Sequence, residues 1–272
     1  MKRLTTPSSP LALYAANHAA EGLEFGEGAS PLVLGHALGS SREMWDEVLP
    51  LLRSDLPVIL WEQPGHGESG LLDVDDPSAL DIAAALNSAL VDLGITDAHI
   101  AGLSLGGMVS LAYAEEFPED TLSVGILGSG PVLPPAQNWF DRAETVEQDG
   151  LSSLADGTME RWFTAGFGRG AGRARVAKIR SIFLETDPAG YAQCCRVLAH
   201  TNLSSGVGMV SAPALVLTGE DDQGTPPSAA VQLAADLASA LPVVIVEDAR
   251  HLTAVEQPGL VANALESMVA AL

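Results

Sequence analysis

The sequence predicts an α/β fold: a mostly parallel, doubly wound sheet with an inserted helical cap. Short apolar runs of strand length recur along the chain, helical patterns fill the intervals between them, and this alternation breaks off once before resuming. The runs are SPLVLG (30–35), LPVILW (56–61), AHIAGL (98–103), TLSVGILG (121–128), PALVLTG (213–219) and LPVVIVE (241–247). Their apolarity is continuous rather than alternating, which suits parallel strands covered on both faces. Helices are expected over about 42–53, 78–93, 105–117, 226–240 and 255–271, the last read as the final helix with no further domain after it.

The break falls between GSGPVLPP and VSAPALVL. Amphipathic stretches there, such as RARVAKIRSIFLE and GYAQCCRVLAH, have no strand partner, and Asp187 before Pro188 reads as a helix start with proline in its first position. The expected organisation is a core from 1–130 and 209–272 with a helical cap at 131–208.

The chain has 272 residues, 47% of them hydrophobic, ample for one large core. A net charge of -22 argues against nucleic acid as a partner. Residues 131–208 hold eight bases and eight acids, so the whole net charge lies outside them. A neutral, arginine-rich insert in an acidic protein suits a small anion; a solvated face of balanced pairs is the alternative. No signal peptide and no membrane-spanning run is expected, which points to a cytoplasmic protein. Adjacent cysteines seldom reach disulfide geometry, so Cys194 and Cys195 are expected to be reduced and buried. With no spaced Cys/His cluster, no metal is expected.

The chemistry centres on GLSLGG. Ser104 lies between Gly102 and Gly106 where a predicted strand meets a predicted helix, the setting of a nucleophile on a sharp turn. A serine needs a base and an acid that orients the base, and both should come from loops after later strands. Asp222 follows PALVLTG, with Asp221 and Glu220 as competitors, and His251 follows LPVVIVE. The order Ser104, Asp222, His251 is that of an α/β-hydrolase. The backbone N–H groups of Leu105 and of Leu38, in GHALGSS, are the candidate oxyanion hole. His66 is expected to order a turn, His36 to brace the oxyanion loop, and His18, His99 and His200 to lie at the surface or in caps.

HALGSSREMWDEVLPLL, PGHGESG, GLSLGGMVS, ERWFT, TDPAGYAQCCRVL, LTGEDDQGTPP and HLTAVEQP together resemble the 3-oxoadipate enol-lactonases of aromatic catabolism, over about residues 30–272. The resemblance implies an α/β-hydrolase that opens an enol-lactone bearing an acetate side chain to 3-oxoadipate, with no cofactor. The substrate carboxylate needs a counter-charge. Arg142 and Arg161, with Trp139 and Trp162 nearby, are the cap candidates, salt bridges within the cap being the alternative. This chain has Glu62 and Pro64 where many of these lactonases have an acid and an arginine. It also has Arg250 before the histidine, expected either to contact the carboxylate or to point to solvent. Other readings are a general carboxylesterase, a cofactor-free perhydrolase or a C–C bond hydrolase with the same triad, or a non-catalytic binding module. The oligomeric state is open.

Overall fold

A computed structural model describes residues 1–17, 30–133 and 135–271; His18 lies outside them. The strands are β1 (Lys2–Arg3), β2 (Leu13–Ala15), β3 (Leu32–Gly35), β4 (Val58–Trp61), β5 (Ala98–Leu103), β6 (Thr121–Leu127), β7 (Ala214–Gly219) and β8 (Val244–Val246). They form one sheet in the order β1-β2-β4-β3-β5-β6-β7-β8, parallel from β4 onward, with β1 and β2 antiparallel at one edge. Residues of β3, β4 and β5 are buried throughout, as helices on both faces demand.

Helices α1 (Ala79–Asp92) and α2 (Leu105–Glu116) flank the centre of the sheet. Helix α1 starts where the Asp81 carboxylate accepts the Ser78 N–H at 2.8 Å, satisfying a terminal donor. Helix α2 is buried on every side from Leu105 to Ala114, so it has no polar stripe and runs as a central element. Between β6 and β7 the described residues hold five α-helices and no strand: α3 (Ala136–Asp149), α4 (Ala155–Trp162), α5 (Ala165–Arg169), α6 (Arg173–Glu185) and α7 (Pro188–His200). Helix α7 begins at Pro188, and Asp187 accepts the Ala189 N–H at 3.0 Å. Cys194 and Cys195 are buried and unbridged on α7. Helices α8 (Pro227–Asp236), α9 (Thr253–Glu256) and α10 (Pro258–Val269) complete the chain. No described helix is long and apolar enough to cross a membrane.

Three expected helices are altered, each for a local reason. The stretch 42–53 forms two 3₁₀ turns, Arg42–Trp45 and Leu49–Leu51, because Pro50 has no N–H to continue a helix. The 226–240 pattern stops at Asp236, since Ser239 and Leu241 leave to bond Ala214 beside β7 at 2.9 Å each. The last helix breaks at Gln257, before Pro258, where φ is -130°. His99 is buried in β5, not at the surface: Ser123, its register partner on β6, shares a 2.8 Å hydrogen bond with its ring.

Glu115, near the end of α2, has an Oε1 atom that is buried without a partner. Its other oxygen stands where a side chain on Gly206 would begin, 2.3 Å from that position. Burial pushes its carboxyl up to about 7 from 4.5. The folded protein therefore resists ionising Glu115, so this residue costs stability above about pH 7, and the cost fades as pH falls toward 4.5. Glu115→Gln should raise the melting temperature by about 2 °C at pH 8, with the carboxyl's partial exposure already discounted. Melting scans should show that gain vanish near pH 4.5, the ordinary value of the carboxyl.

Candidate active site

Strand β5 ends at Leu103, and Ser104 turns the chain directly into α2 with φ 60° and ψ -118°. A non-glycine residue held there is strained, and its neighbours must hold it in place. The Ser104 N–H donates to the Leu127 carbonyl at 2.8 Å, and its own carbonyl accepts from Met108 at 3.0 Å. The flanking glycines allow the close passage of backbone that the turn needs. A Cβ on Gly102 would lie 2.4 Å from the Gly106 carbonyl carbon, and one on Gly106 would lie 2.5 Å from the Gly35 oxygen.

Asp222 and His251 stand in the loops after β7 and β8, and these loops are joined by the Asp221 N–H on the Ala249 carbonyl at 3.0 Å. Of the three consecutive acids, Glu220 and Asp221 are exposed, whereas Asp222 is buried and touches the imidazole. Its Oδ2 accepts from His251 Nδ1 at 2.8 Å and from Thr225 Oγ1 at 2.6 Å, while Oδ1 takes the Gly224 and Thr225 N–H groups. Burial works to raise the pKa of this carboxyl, but the charge and hydrogen bond of His251, with the Thr225 bonds, outweigh it and hold it down at about 2. The acid thus stays ionised throughout the working range and fixes which nitrogen of His251 carries the proton.

The loop after β3 carries Leu38. Gly39 N–H donates to His66 Nε2 at 2.9 Å and Ser40 N–H to the Ala37 carbonyl at 3.0 Å, whereas Leu38 N–H has no acceptor among the described residues. The N–H of Leu105 opens α2 and has no intrahelical acceptor. His66 therefore does more than order its own turn: it grips the loop after β3 that carries Leu38. Its Nδ1 donates to the Pro64 carbonyl at 2.9 Å, and burial first, then the neighbouring His36, lowers its pKa to about 3, so it remains neutral. His36 reaches across to the same turn. Its Nε2 lies 2.8 Å from Glu62, whose other oxygen holds Arg42 at 2.7 Å, and its carbonyl accepts from Gln63 at 2.9 Å. Burial would raise the Glu62 carboxyl, but His36 and Arg42 outweigh it and bring it to about 2. Glu62 is thus an anchor for the loop.

Ser104, Asp222, His251 and Leu38 line a cavity of about 500 Å³ whose other wall is Trp139, Arg142, Arg161, Trp162 and Tyr191 from the helices between β6 and β7. Arg142 donates to Tyr191 Oη at 2.6 Å and to Thr158 Oγ1 at 2.8 Å, and Arg161 donates to the same Thr158 hydroxyl at 3.1 Å. Neither arginine has a carboxylate partner among the described residues, so the expected alternative of salt bridges within the cap does not hold for them. Burial, then the charge of Arg142, lowers the Arg161 pKa, the mark of two cations sharing one wall. Trp139 is tied by its Nε1–H to the Leu133 carbonyl at 2.5 Å, and Trp162 meets Phe183 edge to face. Thr158 and Tyr191 were missed from sequence, although Thr158 sits three residues before Arg161 and so on its face of α4. Arg250 follows neither expectation. Its side chain leaves the cavity and donates to the Glu160 carbonyl at the end of α4. Among the described residues no three His, Cys, Asp or Glu side chains converge as a metal site.

A mostly parallel sheet with a strained serine at a strand-to-helix turn, lining one cavity with an Asp–His pair, defines a hydrolase of the nucleophile-elbow class. The chain belongs to the alpha/beta hydrolase family, whose sequence model matches residues 32–264, and it is a carboxylic ester hydrolase. It is 29% identical to 3-oxoadipate enol-lactonase 2 of Acinetobacter baylyi, over 90% of this chain and 91% of that protein. From the same organism, (E)-2-((N-methylformamido)methylene)succinate hydrolase is 27% identical over 92% of this chain and 94% of its own. Among solved structures, the enol-lactonase of Burkholderia xenovorans LB400 superposes with a TM-score of 0.86 at 25% identity, covering 98% of this chain and 99% of that one.

Proposed function

We propose that this hydrolase opens a small anionic enol-lactone, of the 3-oxoadipate enol-lactone type, to 3-oxoadipate in aromatic catabolism, through an acyl-enzyme on Ser104. The observation that carries this reading is the shared cavity: the Ser104, Asp222 and His251 cluster faces two guanidinium groups without carboxylate partners. An anion held by Arg142 and Arg161 would present its ring carbonyl to the serine. The names of the relatives support the lactone, and residues 131–208 act as the cap that selects it.

In the proposed reaction Ser104 Oγ attacks the lactone carbonyl and His251 takes its proton. Negative charge on the carbonyl oxygen falls to the N–H groups of Leu38 and Leu105. Collapse of the adduct breaks the ring C–O bond and expels an enolate, a better leaving group than an alkoxide, which takes the proton held by His251 and becomes the ketone, leaving the imidazole neutral. Water, deprotonated by His251, then attacks the acyl-enzyme and releases the second carboxylate. Asp222 stays ionised and supports the imidazolium in both halves.

The reading is tested by following loss of the enol-lactone in the ultraviolet beside hydrolysis of p-nitrophenyl acetate. The expected result is a kcat/KM for the lactone at least about 100-fold above that for the simple ester, the contribution of one well-placed charge-assisted contact. Turnover of the ester with none of the lactone would overturn it.

A further inference from the structure

The loop that bears His251 is fastened to the helical segment that bears Arg161 and Trp162, and a single buried carboxylate makes the main link. Glu256, on α9, is only 5% exposed. Its Oε2 accepts the backbone N–H of Arg250, the residue before His251, at 2.7 Å. Its Oε1 accepts both the N–H and the hydroxyl of Thr164, two residues past the end of α4, at 2.8 and 2.7 Å. The residue after His251 is pinned to the same segment, because Leu252 N–H donates to the Trp162 carbonyl at 3.1 Å. The Arg250 side chain on the Glu160 carbonyl and Arg175 on the Val255 carbonyl, the latter at 2.9 Å, repeat the connection. Backbone on both sides of the histidine is therefore referenced to residues 160–164 as well as to the sheet.

We infer that Glu256 is a positioning residue for the hydrolytic reaction: by joining Arg250 to Thr164 it holds His251 in line with Ser104 and registers that alignment to the wall that binds the substrate. The inference rests on the roles proposed above for Ser104 and His251. The chemistry of the link is specific. A glutamine at 256 has one acceptor oxygen, so its NH₂ group must face either the Arg250 N–H or the Thr164 N–H and hydroxyl, donor against donor. An aspartate is a methylene shorter and cannot span both arms. On the other side, serine at 164 keeps the hydroxyl and valine removes it.

The test uses the full-length enzyme and p-nitrophenyl acetate, whose neutral acyl group makes no demand on the arginines. Active sites are counted with a stoichiometric phosphonate that labels the nucleophilic serine. Glu256→Gln should label to completion, though more slowly, while kcat per labelled site falls about tenfold and KM stays within about twofold, the pattern of a misaimed base. Thr164→Val should move kcat in the same direction and Thr164→Ser should remain near wild type. Unchanged kcat per site in Glu256→Gln, with only a lower melting temperature, would overturn the inference and leave Glu256 as scaffolding. Should Glu256→Gln not fold, Thr164→Val decides: full kcat per site overturns the inference. Full turnover by Ser104→Ala, or a wild type that the phosphonate does not label, would instead bring down the reading of Ser104 beneath it.

Discussion

Replacing Ser104 with alanine is expected to lower kcat by at least about 10⁴-fold on every lactone or ester the enzyme accepts. The size follows from the proposed covalent mechanism: without the oxygen no acyl-enzyme could form, and the remaining rate would come only from binding and the N–H groups proposed as the oxyanion hole. Alanine needs the same backbone geometry, φ 60° and ψ -118°, so the variant should fold and bind substrate as before. Binding isotherms with a slow-turnover analogue, beside single-turnover kinetics, would check both halves. The second half of the expectation concerns the partners. The proposed mechanism has serine and histidine act as one unit, so Ser104→Ala combined with His251→Ala should be no slower than Ser104→Ala alone within about threefold. A double variant slower by the product of the two single effects would show that the residues work separately.

The next largest effect is expected at the cavity wall built from the helices between β6 and β7. Arg161→Gln should lower kcat/KM for the anionic lactone by about 100-fold, since a charge-assisted hydrogen bond to a carboxylate contributes about 1.5–3 kcal/mol. The same change should leave p-nitrophenyl acetate within about threefold, because that ester has no carboxylate to lose. Arg161 is the better probe of the pair. Arg142 also holds Tyr191 at 2.6 Å and Thr158 at 2.8 Å, so its removal disturbs the wall as well as the charge. Raising the salt concentration should increase KM for the lactone in the wild type and do so less in Arg161→Gln, as screening of a lost charge has nothing to act on. Equal losses on both substrates would assign Arg161 to the scaffold.

Much of this site was legible in the sequence because its parts sit at strand ends, and strand ends can be read from where apolar runs stop. Ser104, Asp222 and His251 each follow such a run. Asp222 was favoured over Glu220 and Asp221 by its place in the loop, but which of three adjacent acids turns inward is shown only by the folded chain, where Asp222 is buried and the other two are exposed. The Glu62, Arg42 and His36 cluster was hidden for a related reason: His36 and Arg42 follow β3 whereas Glu62 follows β4, and only the folded chain makes them neighbours. Strands β1 and β2 have two and three residues, too few for any period to register. The two cap arginines stood out by charge, whereas Thr158, which both of them share, carries no signal except its helical offset from Arg161. Glu256 was masked differently, as one more acid in an acidic chain; its meaning lies in having two backbone donors and a hydroxyl around it.

The neutrality of His66 has a consequence for how the enzyme meets acid. An imidazole whose pKa is lowered from 6.5 to about 3 keeps its Nε2 lone pair for Gly39 down to pH values near 3. The hydrogen bond that His66 makes to the loop after β3 is therefore kept over that span. The fold as a whole is not: an unfolded chain can protonate His66 below 6.5 and the native one cannot, so stability is full above 6.5 and declines as pH falls from there toward 3. In acid this loop should hold its form until the molecule melts around it, so its loss should coincide with global unfolding.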